Sequence, residues 1–168
     1  QWLPFARAAA THGLSGVLVE RRGRGISPDE PGSAYTLESE AEDLASVIAT
    51  LHHNPILLGH SFGGLLALAA VANGLVRPRM LILYEPALPI PGPLAGDHLG
   101  PFIDLLESGD KEAALVHGLT HFVRLSATEI RIFRKGPWWH TCLEVIDTWP
   151  RELAAVDSAS FADLAAVD

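Results

Sequence analysis

A chain of 168 residues is long enough for one domain with a sizeable core, and a composition of 48% hydrophobic and 19% charged residues excludes a disordered protein. The net charge of −8 argues against a nucleic-acid partner, and no apolar run reaches the roughly 18 residues that span a bilayer. The single cysteine, Cys142, cannot form an internal disulfide, so the reducing cytoplasm is the expected compartment.

The first part of the chain predicts a helix, a strand and a loop, in that order. Residues 2–12 carry apolar side chains at helical spacing, and Gly13 ends this helix. Residues 16–20 are nearly all apolar and include two valines, which is typical of a buried parallel strand. A turn with three arginines follows, and a loop rich in proline, glycine and serine continues to Tyr35.

The middle of the chain alternates helices and strands. Thr36 is placed to cap a helix whose apolar residues recur at intervals of three and four up to Leu51. A strand over residues 56–59 follows, then a helix that ends at residues 73–74, and then a strand over residues 80–85. Because short connections join the alternating elements, we predict an α/β fold with a doubly wound parallel sheet.

The six residues from Gly59 to Gly64 read GHSFGG and join an apolar strand to an apolar helix. A serine at the apex of such a turn presents its hydroxyl at the carboxyl end of the sheet, where doubly wound folds bind their ligands. Ser61 is therefore the candidate nucleophile, and Gly59 and Gly63 are expected to let the strand and the helix approach closely. The alternative is an ordinary turn with glycines at its corners, and the apolar flanks favour the nucleophile.

Three further residues are expected at the same edge of the sheet. Glu20, Arg21 and Glu85 end or follow the other two predicted strands. The cluster of Arg21, Arg22 and Arg24 has two interpretations, a contact for a substrate carboxylate or phosphate and ion pairing with acidic neighbours such as Glu20. Ion pairing is the favoured one.

The pattern changes after the third predicted strand. A proline-rich linker leads to a region in which every predicted element is a helix. We therefore predict two parts, residues 1–87 as a partial α/β core and residues 88–168 as a helical cap that leads back to the core. In this cap, Trp138 and Trp139 either line a substrate pocket or pack against other helices.

Three motifs resemble the α/β-hydrolase superfamily. VLVERRGRGIS, at residues 17–27, resembles the strand and turn that often read V-x-D-x-R-G-x-G-x-S in this family, with Glu20 at the usual aspartate position. GHSFGG matches the nucleophile elbow, and LILYEPAL, at residues 81–88, is similar to the next strand of esterase-like members. The resemblance implies a serine hydrolase of the esterase and lipase type, which forms an acyl-enzyme on a small carboxylic ester-like substrate.

The resemblance also assigns roles to individual residues. The backbone N–H of Phe62, directly after the nucleophile, supplies half of the oxyanion hole. In haloalkane dehalogenases and some esterase-like relatives the triad acid ends the strand after the elbow, so Glu85 is the candidate acid, with a pocket-lining role as the alternative. A dehalogenase itself is disfavoured because it needs an aspartate in place of Ser61. None of the eight histidines is well placed as the catalytic base.

The family pattern extends beyond both ends of this sequence. The chain begins with Gln1 rather than methionine, the family's His-Gly oxyanion loop does not precede the first helix, and residues 160–168 resemble the approach to a further strand. We therefore expect a fragment whose catalytic histidine lies beyond Asp168 and which has little hydrolase activity by itself.

Neither a metal nor a cofactor is predicted. His117 and His121 have the spacing of metal ligands on a helix, but the sequence shows no matching third ligand. Two other functions stay open, a cofactor-free haloperoxidase-like or C–C bond hydrolase on the same fold, and a non-catalytic binding protein built on it.

Overall fold

The computed structural model describes residues 2–28 and 35–160, which fall into two compact units, Gln1–Pro31 and Gly32–Asp168. The predicted approach to a further strand lies outside the described residues except for Ser160, and so does part of the predicted loop before Tyr35.

In the first unit, helix α1 spans Leu3–Thr11, and Gly13 follows it at a φ of +77°, a left-handed conformation that is common after helices. The strand predicted for residues 16–20 was wrong. This segment is irregular, and its three large apolar side chains are 43–60% exposed. A strand needs ladder hydrogen bonds from a neighbouring strand, and apolar composition alone supplies none.

The turn after this segment is organised around Glu20. Its carboxylate accepts a hydrogen bond from the Ile26 N–H at 2.7 Å, and its carbonyl accepts one from the Ser27 hydroxyl at 2.8 Å. Gly25 has a φ of +53° and lies so close to the carboxylate that a Cβ there would overlap it. A backbone bridge between Arg24 and Ser27 closes the turn. Glu20 therefore holds this loop together through local contacts.

The second unit begins with an α/β arrangement. Helix α2 (Leu37–Ala49) precedes strand β1 (Ile56–His60), and helix α3 (Phe62–Ala72) leads to strand β2 (Met80–Tyr84). The two strands pair in parallel, first residue with first and last with last. Helix α3 is the crossover that parallel pairing requires. These are the only strands in residues 2–28 and 35–160, so two of the three predicted strands are confirmed.

Capping and burial explain the two helices beside the strands. The Thr36 hydroxyl accepts a hydrogen bond from the Ser39 N–H at 3.1 Å, and the Ser39 hydroxyl accepts one from the Thr36 N–H at 3.2 Å, which is a capping box. Helix α3 is apolar on all sides, as a helix enclosed by neighbours should be. It packs against α2, both strands and the helix Trp149–Ser158.

Within the described residues, every element after β2 is helical. These elements are α4 (Leu99–Glu107), α5 (Lys111–His121), α6 (Ala127–Phe133), α7 (Trp138–Val145) and α8 (Trp149–Ser158), with 3₁₀ turns at Gly96–His98 and Ile146–Thr148. These helices enclose a hydrophobic core of their own around Phe102, Leu115 and Ile146, each 0% exposed. None of the helices in the described stretches has the length and apolarity that a membrane crossing demands.

Helix α8 joins the two cores of the second unit. Leu153 belongs to the core of the helical region, whereas Ala155 and Val156 pack with α2 and α3. Next to them, the Asp157 carboxylate accepts hydrogen bonds from the N–H groups of residues 94–96 at 2.5–3.2 Å. These bonds tie the entry of the helical region to its last helix.

Candidate active site

The junction between β1 and α3 holds Ser61 in a conformation that few residues adopt. Its φ is +51° and its ψ is −125°, which lie outside the regions that L-residues favour. The Ser61 N–H donates to the Tyr84 carbonyl at 3.1 Å. The Ser61 carbonyl accepts hydrogen bonds from the N–H groups of Gly64, Leu65 and Ala87 at 2.8–3.1 Å. Ser61 is also solvent-exposed. A strand, a strained serine and a helix follow one another here in the order that the predicted nucleophile elbow requires.

Two glycines allow this tight junction, and one of them was not predicted. A Cβ on Gly59 would lie 2.5 Å from the Gly63 carbonyl oxygen and 2.7 Å from the Gly64 Cα. A Cβ on Gly64 would lie 3.0 Å from the Pro86 Cβ. By contrast, a Cβ on Gly63 would meet nothing within 4 Å in the described part of the chain. The glycines that must lack a side chain for this close approach are therefore Gly59 and Gly64, and not Gly59 and Gly63 as predicted. The position that a side chain on Gly63 would occupy faces away from the strand.

Phe62 places a backbone N–H at the start of α3, one residue after Ser61. Its side chain is buried, which fixes the first turn of the helix. The first N–H groups of a helix have no acceptor within the helix, and the helix dipole gives that end a partial positive charge. The Phe62 N–H therefore lies at the positive end of α3, directly after Ser61.

Glu85 follows β2 at the same edge of the sheet as Ser61. Because His60 pairs with Tyr84, the residues that come next, Ser61 and Glu85, leave the two strands side by side. Glu85 has a φ of +45° and is exposed. The rings of His60 and Tyr84 stack with their centroids 5.2 Å apart, so the His60 ring packs against β2.

The prediction that Glu20 ends a strand and that Arg21 follows it was wrong, because residues 16–20 form no strand. In the described residues, no histidine ring is hydrogen-bonded to the Ser61 hydroxyl. A depression between α2, α3 and α8 is lined by neither Ser61 nor Glu85, so we assign it no part in this site.

The two adjacent tryptophans of the helical region have different environments. Trp139 is buried in the helical core, where its ring meets the Phe133 ring edge-on with a centroid separation of 6.3 Å. The Arg134 guanidinium also lies over the Trp139 ring, 4.9 Å from the centroid. Trp138 is 38% exposed. These contacts favour a packing role for Trp139.

The structure also brings together three histidines that the sequence did not connect. His98 ends the 3₁₀ turn before α4, while His117 and His121 lie one turn apart on α5. One ring nitrogen from each lies within 4.8 Å of the other two. Burial, and then the neighbouring His98 and His117, lower the pKa of His121. Sequence reasoning missed His98 because an intervening helix separates it from α5, and no periodic spacing links the two.

The parallel strands, the crossover helix and the strained serine between them define an α/β-hydrolase core with a helical region beside it. This chain belongs to the alpha/beta hydrolase family, whose sequence profile matches residues 1–167. The family predicted from the three sequence motifs is thereby confirmed.

Two relatives agree with this membership. N-formylmaleamate deformylase of Pseudomonas putida is 28% identical over an alignment of 148 residues, and the match covers 83% of this chain and 52% of the deformylase. The crystal structure of an alpha/beta hydrolase from Sphaerobacter thermophilus superposes with a TM-score of 0.75 at 27% identity, covering 89% of this chain and 59% of that one. The chain thus spans about half the length of the curated relative it matches.

Proposed function

We propose that the full-length gene product is a serine hydrolase in which Ser61 Oγ attacks the carbonyl carbon of a carboxylic ester-like substrate and forms an acyl-enzyme. The observation that carries this proposal is the strained, exposed conformation of Ser61 at the strand–helix junction. Strain of this kind persists only where the surroundings over-determine it, and it is concentrated at active sites. An ordinary strand-to-helix turn has no need of a φ of +51° at a serine.

Attack on the carbonyl carbon moves negative charge onto the carbonyl oxygen. In the proposed mechanism the Phe62 N–H stabilises this oxyanion, assisted by the positive end of the α3 dipole. The Phe62 N–H is held rigidly, because the N–H groups of Gly64 and Leu65, in the same turn, donate hydrogen bonds to the Ser61 carbonyl. Little reorganisation is then required when the charge develops.

A serine hydroxyl is a weak nucleophile until a base removes its proton. In the chain order of this fold, the base is a histidine that follows both the nucleophile and the acid. We propose Glu85 as the acid that orients this histidine, because its backbone leaves β2 beside Ser61. The competing assignment makes Glu85 a residue that lines the pocket, with the acid elsewhere.

The substrate is proposed to be a small molecule with a cleavable acyl group. The name of the Pseudomonas relative states removal of a formyl group from N-formylmaleamate, and an N-formyl group is held by an amide bond. Amide and ester cleavage both pass through attack on a carbonyl carbon and both use an oxyanion hole. An N-formyl amide is therefore the second substrate class to assay beside a short activated ester.

The nucleophile is tested with a fluorophosphonate probe on the full-length gene product. We expect covalent labelling at Ser61, located by peptide mass spectrometry, and loss of labelling in Ser61→Ala. Ester turnover should fall by about 10⁶-fold in this variant, since removal of a triad nucleophile has that effect in a serine protease. Ser46→Ala, on the exposed side of α2, is the matched control and should label normally. Labelling that persists in Ser61→Ala would overturn the proposal.

The role of Glu85 is tested by Glu85→Gln in the same assay. If Glu85 orients the base, turnover should fall by about 10⁴-fold, the loss seen when a triad acid is made neutral. The melting temperature should change little, because Glu85 is exposed. Turnover close to that of the unmodified protein would assign Glu85 to the lining of the pocket and leave the Ser61 proposal intact.

A further inference from the structure

The helical region holds a cluster of histidines that the proposed hydrolase chemistry does not use. His98, His117 and His121 come from two elements, the 3₁₀ turn Gly96–His98 and helix α5. One ring nitrogen of each lies within 4.8 Å of the other two, and the rings of His98 and His121 are stacked with centroids 3.9 Å apart. Three imidazole nitrogens at this separation can converge on one ion, because the neutral imidazole is the commonest metal ligand among side chains.

The backbone on both sides of the cluster is anchored. His117 and His121 are four positions apart in the sequence, so they lie on the same face of α5. The turn that carries His98 is held at its start by the Asp157 carboxylate, which accepts hydrogen bonds from the N–H groups of residues 94–96. The turn is therefore anchored to α8 by hydrogen bonds outside the cluster, and α4, which directly follows the turn, packs on α5.

The His117 ring is held in place by two further contacts. Its Nε2 lies 3.0 Å from the His98 carbonyl oxygen, and a proton on Nε2 makes this a hydrogen bond. The ring also lies against Phe102 and Phe122, with centroids 6.4 and 5.9 Å away. Donation from Nε2 leaves the lone pair on Nδ1, and a backbone carbonyl that fixes the tautomer of a histidine is the usual support of a metal ligand.

We propose that His98, His117 and His121 bind one divalent transition-metal ion of the zinc type, which clamps the 3₁₀ turn to helix α5. Imidazole nitrogen suits zinc, copper and nickel, and three histidines with one open position are a known zinc arrangement. Metal–nitrogen distances of about 2.0–2.1 Å place tetrahedral donors roughly 3.4 Å apart, so the ring nitrogens must approach one another by up to about 1.4 Å on binding. Because His98 is exposed, its ring can move into the surrounding solvent space as it leaves the stack with His121.

The test is calorimetric titration of Zn²⁺ into the chelator-treated protein, with the melting temperature measured in parallel. We expect one ion per chain with a dissociation constant in the micromolar range or below, and a melting temperature that rises with Zn²⁺. Substitution of His98, His117 or His121 by alanine should weaken binding by at least about 100-fold, the upper end of the range found for loss of supporting residues. His140→Ala, exposed on α7, is the control and should bind as tightly as the unmodified protein.

His117 packs against aromatic rings, so its alanine variant risks a folding defect. His98→Ala removes an exposed ligand and keeps the test decisive. Co²⁺ in place of Zn²⁺ should give the visible absorption bands of a tetrahedral nitrogen site, and these bands should be lost in His98→Ala. Zn²⁺ binding that is absent, or equally tight in His98→Ala and His140→Ala, would overturn the proposal. Neither result bears on the labelling of Ser61.

Discussion

The α/β region, residues 35–88, and the helical region, residues 94–158, are stabilised in different ways. In the α/β region, four of the five residues of β2 are exposed. In the helical region, Phe102, Leu115 and Ile146 are completely buried. A helix makes its backbone hydrogen bonds within itself and needs neighbours only along one face, whereas a strand obtains them only from another strand. The helical region therefore closes a core from local elements, and the strands do not.

The same contrast separates the two sites. The elbow depends on backbone bonds between segments distant in sequence, from Ser61 to Tyr84 and to Ala87. The histidine cluster depends on side chains carried by two helical elements whose own backbones are locally satisfied. We expect the stability of the elbow to fall when a side chain is added at one of its glycines. We expect the stability of the helical region to fall when a buried side chain is shortened.

The largest expected effect is on the helical core. Phe102→Ala should lower the free energy of unfolding by about 3–5 kcal/mol, because a buried aromatic ring leaves a cavity. Phe102 contacts Phe122 and Trp149, with ring centroids 5.3 and 6.1 Å away, so several partners lose packing at once. Urea denaturation followed by circular dichroism measures the change. Ile132→Ala, at a side chain that is 67% exposed, should stay within about 0.5 kcal/mol. Equal losses in the two variants would contradict the prediction.

In the α/β region, the expected loss of stability comes from a side chain added at a crowded glycine. Gly59→Ala places a methyl group 2.5 Å from the Gly63 carbonyl oxygen, which should cost about 1–3 kcal/mol of stability by overpacking. Gly63→Ala meets open space and replaces a helical glycine, so it should be neutral or stabilise by up to about 1 kcal/mol. Thermal unfolding of the two variants makes the comparison. If Gly63→Ala proved the more damaging, the assignment of the close contact to Gly59 would be wrong.

The smallest expected effect concerns the N-terminus of α6. The Ser126 hydroxyl donates to the Glu129 carboxylate at 2.6 Å and the Ser126 N–H donates to it at 2.8 Å, and these bonds lower the pKa of Glu129. Ser126→Ala should lose about 1 kcal/mol, the usual contribution of a helix N-cap. Because the pKa of Glu129 is lowered on folding, its contribution is present above its unfolded pKa and is lost as the pH falls through the lowered value.

The free energy of unfolding, measured as a function of pH, tests whether the contribution of Glu129 is lost at acid pH. Glu129→Gln should flatten the acid side of the profile, while Glu144→Gln, at an exposed position on α7, should leave it unchanged. A profile that keeps its full acid slope in Glu129→Gln would show that the capping bonds do not act through the charge of Glu129.

The elements that the sequence determined by itself are those with local causes. Thr36 caps α2 through residues three positions away, and the glycines and apolar flanks around Ser61 specify a strand, a tight turn and a helix within one short segment. The switch from alternating elements to helices alone was also readable, since each helix carries its own periodic pattern and breaks at glycine or proline.

Only the tertiary structure decided the features that depend on distant partners. Residues 16–20 have the composition of a strand, but composition cannot provide the neighbour that makes a strand. A side chain would be crowded at Gly64 but not at Gly63, because Pro86, after β2, lies against the Gly64 side of the α3 turn. His98 joins His117 and His121 because α4 folds back on α5, and packing between helices leaves no trace in the spacing of histidines along the chain.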